Sequence, residues 1–191
     1  MLMVFAFVPC LSTAQAAASP KKSQNDIKQE REESIDKKEF PQTALPFINE
    51  LNEADKRVRY YRETDGDAYS YEAKFKNNRL EYNIECYPSG KIQDVEITVK
   101  RRTVDNAVWK KITDHFKAES KRFKVTKIQR QYVYSDDILK RIATGLNDNF
   151  EISVSFKSKR KIYRKEYLIS ASGDIVNIRD VKRQEYDFIL F

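Results

Sequence analysis

At 191 residues, with 40% hydrophobic and 12% aromatic side chains, the chain carries enough apolar material for a buried core, which excludes a protein disordered throughout. Charged residues make up 34%, and the formal net charge of +7 is spread over interspersed signs. That balance suits acidic partners, but the stacking and basic motifs of the nucleic-acid modules are missing, so no specific nucleic-acid partner is expected.

Residues 1–17 read as a secretory signal peptide. The run MLMVFAFVPCLS is apolar yet too short to span a bilayer as a helix, and Thr13-Ala14-Gln15-Ala16 offers an A-x-A type site before Ala17. Lipoprotein processing at Cys10 is the alternative. Either route implies export to the periplasm or beyond, with no transmembrane segment in the mature chain. Signal cleavage near Ala16 leaves Cys86 as the one cysteine, so no intrachain disulfide is expected.

Residues 18–39 are charged and nearly free of large apolar side chains, which predicts a disordered linker. Thr43 is placed to cap a helix over 44–54, with Leu45, Ile48 and Leu51 at helical spacing. RVRYYRET, from Arg57, predicts a strand, and Asp65-Gly66-Asp67 turns the chain into the clearest signal of the sequence, a three-stranded meander from Tyr69 to Lys100. Tyr69, Tyr71, Ala73 and Phe75 alternate with polar residues, Asn77-Asn78 turns, Leu80, Tyr82, Ile84 and Cys86 resume the alternation, and Pro88-Ser89-Gly90 supplies a second turn before Val95, Ile97 and Val99. Cys86 thus reads as a small buried hydrophobe.

The pattern then restarts. Thr103 is placed to cap a helix carrying Val104, Ala107, Val108, Ile112 and Phe116 on one side, and KRFKVTKIQRQYVY from Lys121 predicts a strand. After an extra segment at 135–149, Phe150, Ile152, Val154 and Phe156 alternate as Tyr69 to Phe75 do. Ser172-Gly173-Asp174-Ile175 echoes Ser89-Gly90-Lys91-Ile92, which points to an internal repeat. The expected fold is α+β, as two helix-plus-antiparallel-sheet repeats over 40–102 and 103–191, with the helices packed on one face of the sheet or sheets. The terminal run Phe188-Ile189-Leu190-Phe191 reads as an edge strand or core plug.

On the strength of YEAKFKNNRLEYNIECYPSGKIQDVEI and of AVWKKITDHF followed by FKVTKIQRQYVY, the chain resembles the secreted PepSY-like proteins, related in fold to beta-lactamase inhibitor proteins. The resemblance spans roughly Phe40 to Lys182. It implies a non-catalytic module of the cell envelope that binds or restrains another envelope or secreted protein.

Chemistry is sparsely signalled. The single histidine, His115, cannot build a multi-histidine metal site, and Asp65-x-Asp67 lacks the later ligands of a calcium loop. No nucleophile signature is present, so no catalysis, cofactor or metal is expected. The densest charge cluster is Lys157, Lys159, Arg160, Lys161, Arg164 and Lys165, around a hairpin turn. It reads either as a solvated tip that discourages edge pairing or as a contact for anionic lipid or polysaccharide. Tyr87 and Trp109 are the aromatic anchors expected for a protein partner, Trp109 serving equally well as core.

Overall fold

The computed structural model describes residues 27–28, 31–52, 57–65 and 68–181; the signal-peptide residues, Cys10, Asp67 and the terminal apolar run lie outside these. The strands are β1 (Ile27–Lys28), β2 (Arg31–Ile35), β3 (Arg59–Asp65), β4 (Ala68–Asn77), β5 (Leu80–Cys86), β6 (Ile92–Thr98), β7 (Phe123–Val133), β8 (Asn149–Ser158), β9 (Lys161–Ser170) and β10 (Ile175–Val181). The helices are α1 (Leu45–Leu51), α2 (Asn106–Glu119) and α3 (Ile138–Thr144).

All ten strands belong to one sheet, ordered β1-β10-β9-β8-β7-β6-β5-β4-β3-β2. Every pairing is antiparallel except β1 against β10. The expectation of two helix-plus-sheet repeats is therefore corrected. The meander does not end in an edge: β6 pairs with β7, Val95 opposite Tyr132, so one strand-dominated sheet runs through the expected boundary with three short helices beside it. Alternation reveals that a segment is a strand but not which strand it neighbours. Within the stretch read as a linker, Ile27–Lys28 and Arg31–Ile35 are strands, although their composition is polar.

The sheet is strongly curled. β10 and β3 are seven strand steps apart, roughly 34 Å across a flat sheet, yet Arg179 of β10 pairs with Asp65 of β3. The N-terminal strands show the same closure: Lys28 pairs with β10 and Arg31, three residues on, pairs with β3. Three residues span at most about 11 Å, so the two ends of the sheet face each other. Register shifts at Glu85/Cys86, Val125/Lys127 and Ile175/Asn177 add the local bending that such curvature needs.

The helices lie on the convex face, over two apolar clusters. Phe40, Ala44 and Ile48 pack with Ala73, Phe75, Ile84, Val95 and Tyr132, while Ile112 and Phe116 pack with Ile152, Val154, Phe156 and Tyr167. The ring of Phe116 lies 4.9 Å from Tyr167. Helix starts differ from expectation. Asp105, not Thr103, caps α2 by accepting from Ala107 and Val108, and Thr43 instead donates its hydroxyl to the Ser89 carbonyl. That contact explains Gly90: its φ of 81° needs glycine, and a Cβ there would sit 1.9 Å from Thr43 Oγ1. The segment 135–149 forms α3, whose Ile138 enters the first cluster and whose Arg141 binds Asp148, Ser135 and the Val133 carbonyl.

Candidate functional site

Because side chains alternate along each strand, the residues between the core positions all project from the concave face. They are overwhelmingly polar. Curvature turns what would be a flat wet surface into a cavity of about 480 Å³, lined from β2 through to β10. Its mouth carries Tyr87, just beyond β5, 48% exposed.

The floor is a hydrogen-bonded chain across four adjacent strands. Asn83 of β5 donates to Glu72 of β4 (2.7 Å) and to Glu96 of β6 (3.3 Å), and Gln129 of β7 donates to the same Glu96 carboxylate (2.8 Å). Glu72, Glu96 and Gln129 are all buried. A second chain runs alongside, with Asn149 donating to Gln131 (2.9 Å) and Gln131 to Asp94 (2.7 Å). Carboxylates only accept, so they consume the N–H ends of the amides and leave the amide oxygens over. Among the described residues, Asn83 Oδ1 and Gln129 Oε1 accordingly have no hydrogen-bond partner, and neither has Asp94 Oδ1.

The electrostatics follow. Eight acidic side chains line the cavity against three basic ones, Lys74, Lys127 and Arg179, an excess of five negative charges in a chain of net +7. Burial, reinforced by the Glu85 charge, pushes the Asp94 carboxyl up to about 7 against the Gln131 hydrogen bond that opposes it. At one side Glu32, Glu63 and Glu72 bring carboxylate oxygens within 4.8 Å of one another, the one such metal-capable group among the described residues. The Lys74 ammonium already bridges two of them, at 2.6 Å from Glu32 and 2.7 Å from Glu72, and lies over the Tyr61 ring. Burial works to lower the Lys74 pKa, and the Glu72 and Glu32 carboxylates outweigh it, so it is raised overall.

The residues singled out in the sequence are scattered. Lys157, Lys159, Arg160 and Lys161 are exposed at the β8–β9 tip, with Ile162 68% exposed beside them. Lys165 is drawn away from the tip to Glu119 of α2 (2.9 Å), and the pleat sends the exposed Arg164 to the opposite face of β9. Trp109 is half-buried against the second cluster, with the Arg101 guanidinium 4.8 Å over its ring. Cys86 lies in the first cluster, its thiol pushed up to about 12 by burial; His115 sits beside the other cluster, facing the Gly173 carbonyl. Sequence reasoning missed the floor residues Glu72, Asn83, Glu96 and Gln129. Their one signal was the polar half of the alternation, which looks the same whether a face is flat or enclosed.

No family model matches the chain, and no curated protein matches it. Among solved structures it is similar in fold to a Bacteroides eggerthii protein described as "putative periplasmic" (TM-score 0.52, 10% identity, 74% of this chain and 88% of that one). Two DUF2874 family proteins resemble it equally: one from Bacteroides ovatus (TM-score 0.51, 11% identity, 74% and 87%) and one from Bacteroides uniformis (TM-score 0.52, 11% identity, 73% and 88%). No helix among the described residues is long and apolar enough to cross a membrane.

Proposed function

We propose that the chain is an exported, non-catalytic module that binds another envelope protein through the concave face of its sheet. One observation carries the reading: three helices cover the convex face while the concave face holds an ordered polar cavity that no described residue covers, with an exposed tyrosine at its mouth. Polar groups fixed by neighbouring side chains present a surface that changes little when a partner docks. Export is supported by the apolar N-terminal stretch and by the description of the Bacteroides eggerthii protein of similar fold. Relation to PepSY-like proteins belongs to the same proposal. Affinity capture from envelope extract, with mass spectrometry of the retained protein, tests it. A partner retained by the parent chain and lost on Tyr87→Ala supports the reading; retention unchanged by that substitution and by changes in the cavity overturns it.

A second reading is favoured by Ile162, whose exposed side chain among Lys159, Arg160 and Lys161 gives the β8–β9 tip an apolar point within a cationic ring. Such a tip suits an anionic lipid surface. Sedimentation with phosphatidylglycerol vesicles that is abolished by replacing those three cations with Gln would favour it over the concave face.

A further inference from the structure

We infer that the concave cavity receives a lysine- or arginine-rich extended segment of the partner protein; the inference rests on the reading that this face docks a protein. Three observations converge. The lining carries five more acidic than basic side chains although the whole chain is positive, so the sign of the cavity opposes that of its own protein. Such a concentration of one sign inside low-dielectric walls focuses the field and selects a cationic ligand.

The floor also has an excess of acceptors. Asn83, which lines the cavity, has an unpaired Oδ1, and behind the lining, Gln129, 2% exposed and on the same face of β7 as the lining Lys127 and Gln131, has an unpaired Oε1. Buried acceptors need donors, and an ammonium brings three and a guanidinium five, with no acceptor of their own to satisfy. At the mouth, Tyr87 offers an exposed aromatic face, which attracts the same two cations. Size decides among cations. A volume of about 480 Å³ is that of a site for several side-chain groups, far larger than one metal ion requires, and Lys74 already occupies the tightest carboxylate cluster.

The test uses the full chain and two extended octapeptides, one alternating Lys and Ser, the other with Gln in place of Lys. Titration by fluorescence anisotropy should show saturable one-to-one binding of the lysine peptide only, weakening steeply as salt rises from about 50 to about 500 mM. Replacing three half-buried lining carboxylates, Glu63→Gln, Glu85→Gln and Glu151→Gln, should weaken it by about tenfold or more, whereas Gln at Lys159, Arg160 and Lys161 should leave it unchanged. The two-peptide contrast needs no variant, so a misfolded triple variant leaves the inference falsifiable. Equal binding of both peptides, no saturable binding of either, insensitivity of a folded triple variant, or spermidine competing as tightly as the peptide would each overturn it. Should envelope capture yield a partner that is lost on Tyr87→Ala but whose retention ignores the carboxylate changes, this inference fails while the docking reading stands. Lysine-peptide binding without any captured partner gives the reverse.

Discussion

The two faces of the sheet are made by the same strands and differ in almost every physical respect. The convex face is dry, aromatic and covered by three helices; the concave face is built from carboxylates and amides that hydrogen-bond to one another and leave acceptors unused. The convex face is held by apolar burial, which is non-directional and tolerates some repacking. Directional pairs hold the concave face, where the loss of one member strands the others. Stability should therefore reside on one side and recognition on the other.

The strongest test removes a convex aromatic ring. Phe75 and Phe156 are 3% and 0% exposed, and each change to Ala should cost about 3 to 5 kcal/mol in urea unfolding. A cost below about 1 kcal/mol at either position would break the contrast at its stronger end.

Next in size is a pH effect specific to the concave face. Asp94 of β6 faces Glu85 of β5, Gln131 of β7, Glu151 of β8 and Glu72 of β4, and its carboxyl is raised from 3.8 to about 7. A carboxyl raised on folding binds its proton more tightly in the folded state. Its contribution is present in full below the unfolded pKa and is lost as pH climbs through about 7, at up to about 1.4 kcal/mol per pH unit. Asp94→Asn should flatten the stability profile between about pH 4 and 7; an unchanged slope would show that the site is well hydrated.

Much of the convex face was legible in the sequence. Ala73, Phe75, Ile84, Ile152 and Phe156 stood at period two, and Ile112 and Phe116 at helical spacing, because burial imposes those periods directly. The concave site was not. Glu72, Asn83 and Glu96 occupy positions that read equally well as solvated, and only closure of the sheet, by Arg179 on Asp65 and by the N-terminal strands against both ends, encloses them. Closure joins residues more than a hundred positions apart, so no local pattern announces it. The same long-range pairing joined what had read as two repeats into one sheet.

Smaller again is the loss of a floor acceptor. Glu96→Ala removes the partner of Gln129 Nε2 and one of two partners of Asn83 Nδ2, and should cost about 1 to 3 kcal/mol. Glu96→Leu, similar in size but apolar, should recover none of it, since the stranded amide remains. Recovery would mean that the floor is valued for volume, as the convex core is.

The finest contrast lies within β2, where adjacent glutamates form ion pairs on opposite faces. Glu33 pairs with Arg62 toward the convex edge, with side chains 59% and 47% exposed, while Glu32 pairs on the concave side with Lys74, which is 25% exposed and shared with the buried Glu72. Water and salt screen the first pair, so Glu33→Gln should be indistinguishable from the parent in unfolding. Glu32→Gln should cost about 1 kcal/mol or less, because Lys74 keeps its Glu72 partner. Its cost should persist in high salt, where a solvent-exposed pair would fade. Double-mutant cycles pairing Glu33 with Arg62 and Glu32 with Lys74, run at low and high salt, measure the two couplings in one strand. If both vanish together in high salt, the concave cavity screens charge as bulk solvent does, and its acidic excess would hold a cationic segment no better than an open surface.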